Sequence, residues 1–201
     1  SNLYVLNGNN IYKSTNFGVS WSIVNGSSGG VNVLLGEVDS NGNIFIADGS
    51  GDVFKSTNRG VTWTFMGDFN GVGASNPKGM AINSTNSIFI VDGSKAVFKS
   101  DNSGVNWTRQ TSDYGGTSST ADMTSDSNGN LYILLDKKIY QSTNYGVNWS
   151  IINNSFTPYS QNGLKMTKDN RSYLYVTDGN GRIFRSTNSG VNWNEIGDFN
   201  L

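Results

Sequence analysis

The chain has 201 residues and a formal charge of −1, with 14 Lys plus Arg against 15 Asp plus Glu, and it holds neither Cys nor His. That composition excludes disulfides, thiol or imidazole catalysis and the usual zinc ligands. It leaves no basic footprint for nucleic acid, no like-charge run for an anionic membrane and no apolar run long enough to insert in a bilayer. No cofactor is expected. The length fits one domain, residues 1–201, and the initial Ser reads as a mature or trimmed start. With 25 Gly, 29 Asn and 2 Pro, the chain is rich in turns and poor in helix formers.

In chain order, the first strand signal is Leu3-Tyr4-Val5-Leu6, followed by Ile11-Tyr12-Lys13 and an outgoing segment after Trp21. The second stretch carries four signals: residues 31–39 (A), 44–47 (B), 53–55 (C) and 61–66 (D). B is apolar on both faces, as in a strand stacked inside sheets. The same series recurs over 80–107, 123–149 and 166–193. The opening signal aligns with B, so the first unit lacks A. Four strands per unit in a radial array is an all-β propeller blade. The expectation is five units of about 43 residues, four of them with four antiparallel strands and the first with three, nineteen strands in all. Their approximate bounds are 1–30, 31–78, 79–119, 120–163 and 164–201.

The period is set by one stretch that occurs five times. Its positions are Ser14, Asn16, Gly18 and Trp21, then Ser56, Asn58, Gly60 and Trp63, then Ser100, Asn102, Gly104 and Trp107. Ser142, Asn144, Gly146 and Trp149, and then Ser186, Asn188, Gly190 and Trp193, complete the set. Successive Trp residues lie 42, 44, 42 and 44 apart, and a fixed spacing of this size means one supersecondary unit used repeatedly. The Asn side chain can bond backbone amides two residues on, Gly supplies a positive φ, and Val-x-Trp is expected to start strand D with both side chains on one face. The stretch resembles the Asp-box, or BNR, repeat Ser-x-Asp-x-Gly-x-x-Trp, known from propellers of sialidases, xyloglucanases, sortilin-type receptors and photosystem assembly factors. Asn stands at the Asp position in all five copies, and Asn can make the same turn bonds. The resemblance implies a structural turn on the face away from any active site.

In that frame the B–C turns and D–A loops share the ligand face. The B–C turns fall at Asn7, Asp48, Asp92, Asp136 and Asp178. The four aspartates read as turn chemistry, as a ring able to hold a polar ligand or cation, or as carboxylates for general acid–base catalysis. The D–A loops span 25–30, 67–78, 110–120 and 153–163 and carry Phe69, Tyr114, Phe156 and Tyr159. These aromatics read either as loop anchors or as platforms for sugar stacking or protein contact. Met80, Met123 and Met166 repeat at one strand-A position and read as core or channel filling. Lys13, Lys55, Lys99 and Arg185 repeat on strand C and read either as an anion ring or as stems lying along the sheet edge. The Asn-x-Ser/Thr sequons at Asn25, Asn83, Asn106, Asn148, Asn153 and Asn170 matter only in a glycosylating host.

The resemblance implies a direct test for sialidase activity, which in that family needs three convergent arginines, a Tyr–Glu pair and an Asp acid. Of five Arg, only Arg109 and Arg182 are expected to reach the ligand face, and Glu occurs only at Glu37 and Glu195. The expected function is therefore a non-enzymatic binding or structural module of a secreted or surface assembly, lectin-like or protein-binding. A glycan-active hydrolase, or a fragment of one, is the alternative. The expected partner is a glycan or surface protein, with self-association through the open first unit, since an unpaired strand edge at residues 3–6 invites another chain.

Overall fold

In the computed structural model, residues 2–8, 10–25, 32–69, 71, 76–116, 122–158 and 162–199 are described. They form nineteen strands in five antiparallel sheets. The first sheet has three strands, β1 (Leu3–Asn7), β2 (Asn10–Ser14) and β3 (Ser22–Asn25). The second runs β4 (Val33–Val38), β5 (Ile44–Asp48), β6 (Asp52–Ser56) and β7 (Thr64–Asp68). The third runs β8 (Pro77–Ile82), β9 (Ile88–Asp92), β10 (Val97–Ser100) and β11 (Thr108–Thr111). The fourth holds β12 (Asp122–Ser125), β13 (Leu131–Leu135), β14 (Lys138–Ser142) and β15 (Ser150–Asn153). The fifth holds β16 (Gly163–Lys168), β17 (Leu174–Asp178), β18 (Arg182–Ser186) and β19 (Asn194–Asp198). Each sheet is a meander in which sequence neighbours pair. The protein is a five-bladed β-propeller with a three-stranded first blade.

The A strands β4, β8, β12 and β16 pack successively around the axis, and β1 packs on β4. Cores lie between blades. The B strands β5, β9 and β13 are buried at every position, which explains their unbroken apolar runs. Leu35, Phe45, Ala47 and Val53 of the second blade meet Met80, Ile90, Phe98 and Trp107 of the third. Met80, Met123 and Met166 are buried at equivalent places on strand A. Gly36 holds that place in the second blade, and a Cβ there would sit 2.8 Å from Leu6 Cδ1. The first blade, lacking strand A, thus sends Leu6 from strand B into the space a Met fills elsewhere.

The repeated Ser-x-Asn stretch is a longer turn than its sequence implies. Ser Oγ donates to the Asn Oδ1 at 2.9–3.0 Å and accepts the Gly N–H at 2.8–2.9 Å in every copy. The same Asn Oδ1 accepts the amides of Ser20, Thr62, Asn106, Asn148 and Asn192. These bonds hold the chain in the turn until Trp, so strand D begins one residue after it. The expected strand over 61–66 is therefore Thr64–Asp68. The Val of Val-x-Trp does not share a buried face with Trp: Val19, Val61, Val105, Val147 and Val191 are all exposed. The residue before Gly is also left-handed. Phe17, Arg59, Ser103, Tyr145 and Ser189 have φ between 57° and 64°, a conformation costly for side-chain-bearing residues. The turn's network holds it in each blade.

Candidate functional site

The B–C turns show what the predicted ring of carboxylates does. Asp48, Asp92 and Asp178 end their B strands and are buried. Asp48 Oδ1 accepts the amides of Ser50 and Asp52 at 2.8 and 3.0 Å. Asp92 Oδ1 accepts those of Ser94 and Ala96, both at 2.9 Å. Asp178 does the same for Asn180 and Arg182, and its Oδ2 takes Arg182 Nη1 at 3.2 Å. Turn chemistry, the first of the three readings, occupies these groups.

Asp136 does not belong with them. The equivalent strand-ending position in the fourth blade is Leu135, and Asp136 sits one residue later with φ 54°, its side chain accepting Asn162 Nδ2 at 3.2 Å. The fourth B–C turn is a tighter hairpin, Leu135 pairing with Lys138. The expected four-membered ring is thus three buried turn caps and one unrelated surface carboxylate. The A–B turns repeat the capping chemistry with Asp39, Asn83, Asp126 and Asp169. Asn83 is buried in that role, which closes its sequon to a glycan.

Phe69, Tyr114 and Phe156 are buried and offer no ring face to a sugar. Each follows strand D and reaches the next blade. Phe69 lies 6.0 Å from Phe98 and 5.9 Å from Trp107, centroid to centroid. Tyr114 lies 5.4 Å from Tyr140 and 6.2 Å from Trp149. Phe156 lies 5.3 Å from Phe184 and 5.9 Å from Trp193. They are wedges between blades, and the platform reading is corrected for them. Tyr159 lies outside the described residues.

The arginines do not converge. Arg182 is held by Asp178, Arg171 Nη2 lies 3.0 Å from Asp169, Arg109 lies over the Phe98 ring at 5.4 Å, and Arg185 faces Tyr173 at 6.0 Å. Lys55 and Lys99 lie over Phe45 and Tyr145, as stems along the sheet should. Among the described residues no three His, Cys, Asp or Glu side chains are grouped to hold a metal ion.

The side chains that do converge lie in the axial channel. It has a volume of about 350 Å³ and is lined by Leu6, Leu35, Glu37, Met80, Asp122 and Lys165, among others. Strand A supplies nearly all of them. Asp122 Oδ2 accepts the Met166 amide at 2.8 Å, and Lys165 Nζ approaches its Oδ1 at 3.5 Å. Lys168 Nζ donates to Ser125 Oγ at 3.1 Å. Glu37 is pushed up from 4.5 to about 7, first by burial and then by the charge of Asp122, against the opposing pull of Lys168 and Lys165. Burial likewise raises Asp122 and lowers Lys168. Sequence reading missed this cluster. Its signal was the charged residues Glu37, Asp122, Lys165 and Lys168 on strands otherwise expected to be core.

The Glu37 value has a measurable consequence. Between pH 4.5 and 7 the folded chain holds a proton that the unfolded chain has lost. Stability therefore falls as pH rises through that window. Glu37→Gln is expected to leave stability below pH 4.5 unchanged and to raise it above pH 7, by no more than about 3–4 kcal/mol at about 1.36 kcal/mol per pH unit. Urea unfolding of both chains across pH checks this; parallel profiles would contradict it.

These features define a small β-propeller with a charged axial channel. Solved structures with the same fold include a streptogramin B lyase (TM-score 0.69, 17% identity), for which 96% of this chain covers 63% of that one. A second is YCF48 bound to D1 peptide (TM-score 0.60, 16% identity), with 92% and 60% covered. A third is the GH74 enzyme of Niastella koreensis (TM-score 0.72, 18% identity), with 96% and 35% covered. The chain thus spans about a third to two thirds of the length of these neighbours, and at such identities the likeness is one of fold. No protein-family model and no characterised protein sequence matches it.

Proposed function

We propose that the chain is a non-enzymatic recognition module that engages a protein partner at the mouth of its axial channel. The observation that carries this reading is the axial channel of about 350 Å³, whose wall carries two carboxyl side chains, Glu37 and Asp122, with Glu37 raised to about 7 by burial and by Asp122. A cationic side chain presented by a partner would satisfy it, because an opposite charge in a poorly solvated site favours the ionised acid. A propeller neighbour that binds a peptide, YCF48 with D1 peptide, supports the class of ligand. The five Asp-box-like turns support kinship with secreted and surface propellers of that type, and hence such a setting. The test is binding to immobilised peptides that present Lys or Arg, matched to Gln versions, above pH 7. The expected result is at least tenfold preference for the basic peptides, lost in Glu37→Gln. Equal binding by both chains, or none by the wild type, would overturn it.

A second reading keeps the same group. A carboxyl raised by burial to about 7 beside another carboxylate is the pattern of a general acid, and one structural neighbour is a GH74 enzyme. Under this reading a glycan is cleaved and Glu37→Gln abolishes cleavage. Absence of reducing-end release by the wild type rejects it.

A further inference from the structure

Three internal junctions are built alike. An aromatic wedge leaves strand D with its amide bound to the B–C turn of its own blade: Phe69 to Gly51 O, Tyr114 to Lys95 O and Phe156 to Lys137 O, at 3.0–3.1 Å. Its ring then fills the space between strand C aromatic and box Trp of the next blade. The fifth blade carries the same device. Phe199 donates its amide to Gly181 O at 3.0 Å, yet its side chain is 61% exposed.

The matching receptor stands uncovered at the other end. Tyr12 and Trp21 of the first blade hold the positions of Phe98 and Trp107, with Val5 at the position of Ile90. Trp21 is 41% and Val5 46% exposed, where Trp107 is 7% and Ile90 fully buried. With Asn7 they line an open cavity of about 440 Å³. Leu3 and Ile23 extend the apolar surface. Packing of the kind that joins the other neighbouring blades does not join the described strands of the fifth sheet to those of the first. Knob and hole are therefore both open in one and the same structure.

We propose that a second copy of this chain docks head to tail, with Phe199 of one copy inserted between Tyr12 and Trp21 of the other. The contact continues the interface already used three times within the chain. It involves a surface separate from the channel and does not depend on the function proposed for it. The two surfaces differ, so the contact is heterologous and a pair keeps one knob and one hole free.

The test is mass by sedimentation from micromolar to near-millimolar concentration, on the wild type, Phe199→Ala and Val5→Asp. Both substituted side chains are exposed, and thermal unfolding in dilute solution checks that each variant folds. The wild-type mass is expected to rise with concentration, through dimers to larger species. Each variant alone should stay monomeric, with association weakened at least tenfold. An equimolar mixture of the two should form a dimer and nothing larger, because one retains the hole and the other the knob. A wild type of constant monomer mass, a mixture that stays monomeric, or a Phe199→Ala chain that associates like the wild type overturns the proposal. A monomeric wild type destabilised by Phe199→Ala would instead show that the chain closes its own ring.

Discussion

Trp107→Ala is expected to cost about 3–5 kcal/mol, the range for removing a large buried aromatic. Trp107 is buried in the junction between the second and third blades, against the Phe69 wedge at 5.9 Å. Its Nε1 donates to Gly104 O at 3.0 Å, tying the ring to its own turn. The substitution removes wedge contact, core volume and that hydrogen bond together. Trp21→Ala removes a residue of the same type at the same repeat position. It too bonds its turn, at Gly18 O, but no wedge covers it, and the expected loss is below about 1.5 kcal/mol, the worth of one hydrogen bond. Denaturant unfolding of the two variants separates the contributions. Equal losses would show that the turn, rather than the junction, supplies the stability.

The second large effect is expected at Gly79. Here strands β8 and β12 approach around the axis, and a Cβ on Gly79 would lie 2.6 Å from the Met123 amide nitrogen and 2.9 Å from the Asp122 carbonyl carbon. Backbone cannot move aside as a side-chain tip can. Gly79→Ala is expected to cost about 3 kcal/mol, the upper end for an overpacked site, and to shift the third and fourth blades apart. Gly71→Ala, with nothing within 4 Å of its added methyl, is the control and is expected to be near neutral. A Gly79→Ala chain unfolding at the wild-type denaturant midpoint would show that the strands separate freely.

Much of the architecture was legible because the fold is built from local contacts that repeat. Trp at intervals of 42 and 44 marks the blades, and the apolar runs at Ile44, Ile88 and Leu131 mark the B strands. Two things were not legible. The start of strand D depends on an Asn Oδ1 reaching an amide four residues on, which stretches the turn past Val61. The role of Asp136 depends on register: a two-residue hairpin, shorter than the turns capped by Asp48, Asp92 and Asp178, moves the carboxylate off the shared position, which residue type alone does not reveal. The channel cluster was hidden for a similar reason. Glu37, Asp122 and Lys165 come from three blades, and only the arrangement of the A strands around the axis brings them together. The wedges read as ambiguous because an aromatic in a polar loop has two physical uses, and burial alone separates them.

The uncovered faces at both ends also shape how the molecule opens. In a linear array each unit is held only by its neighbours, so stability is a sum of unit and junction terms. The third and fourth blades are clamped on both sides, while the first and fifth each have one bare flank. Amide protection should therefore peak in β9 and β13 and decline toward both termini. Unfolding then proceeds as peeling from the outside inward, and the blades carrying Asp122 and Met80 outlast those bearing Leu6 and Lys165. The channel loses its outer walls before its centre melts, so it opens by fraying well short of global denaturation.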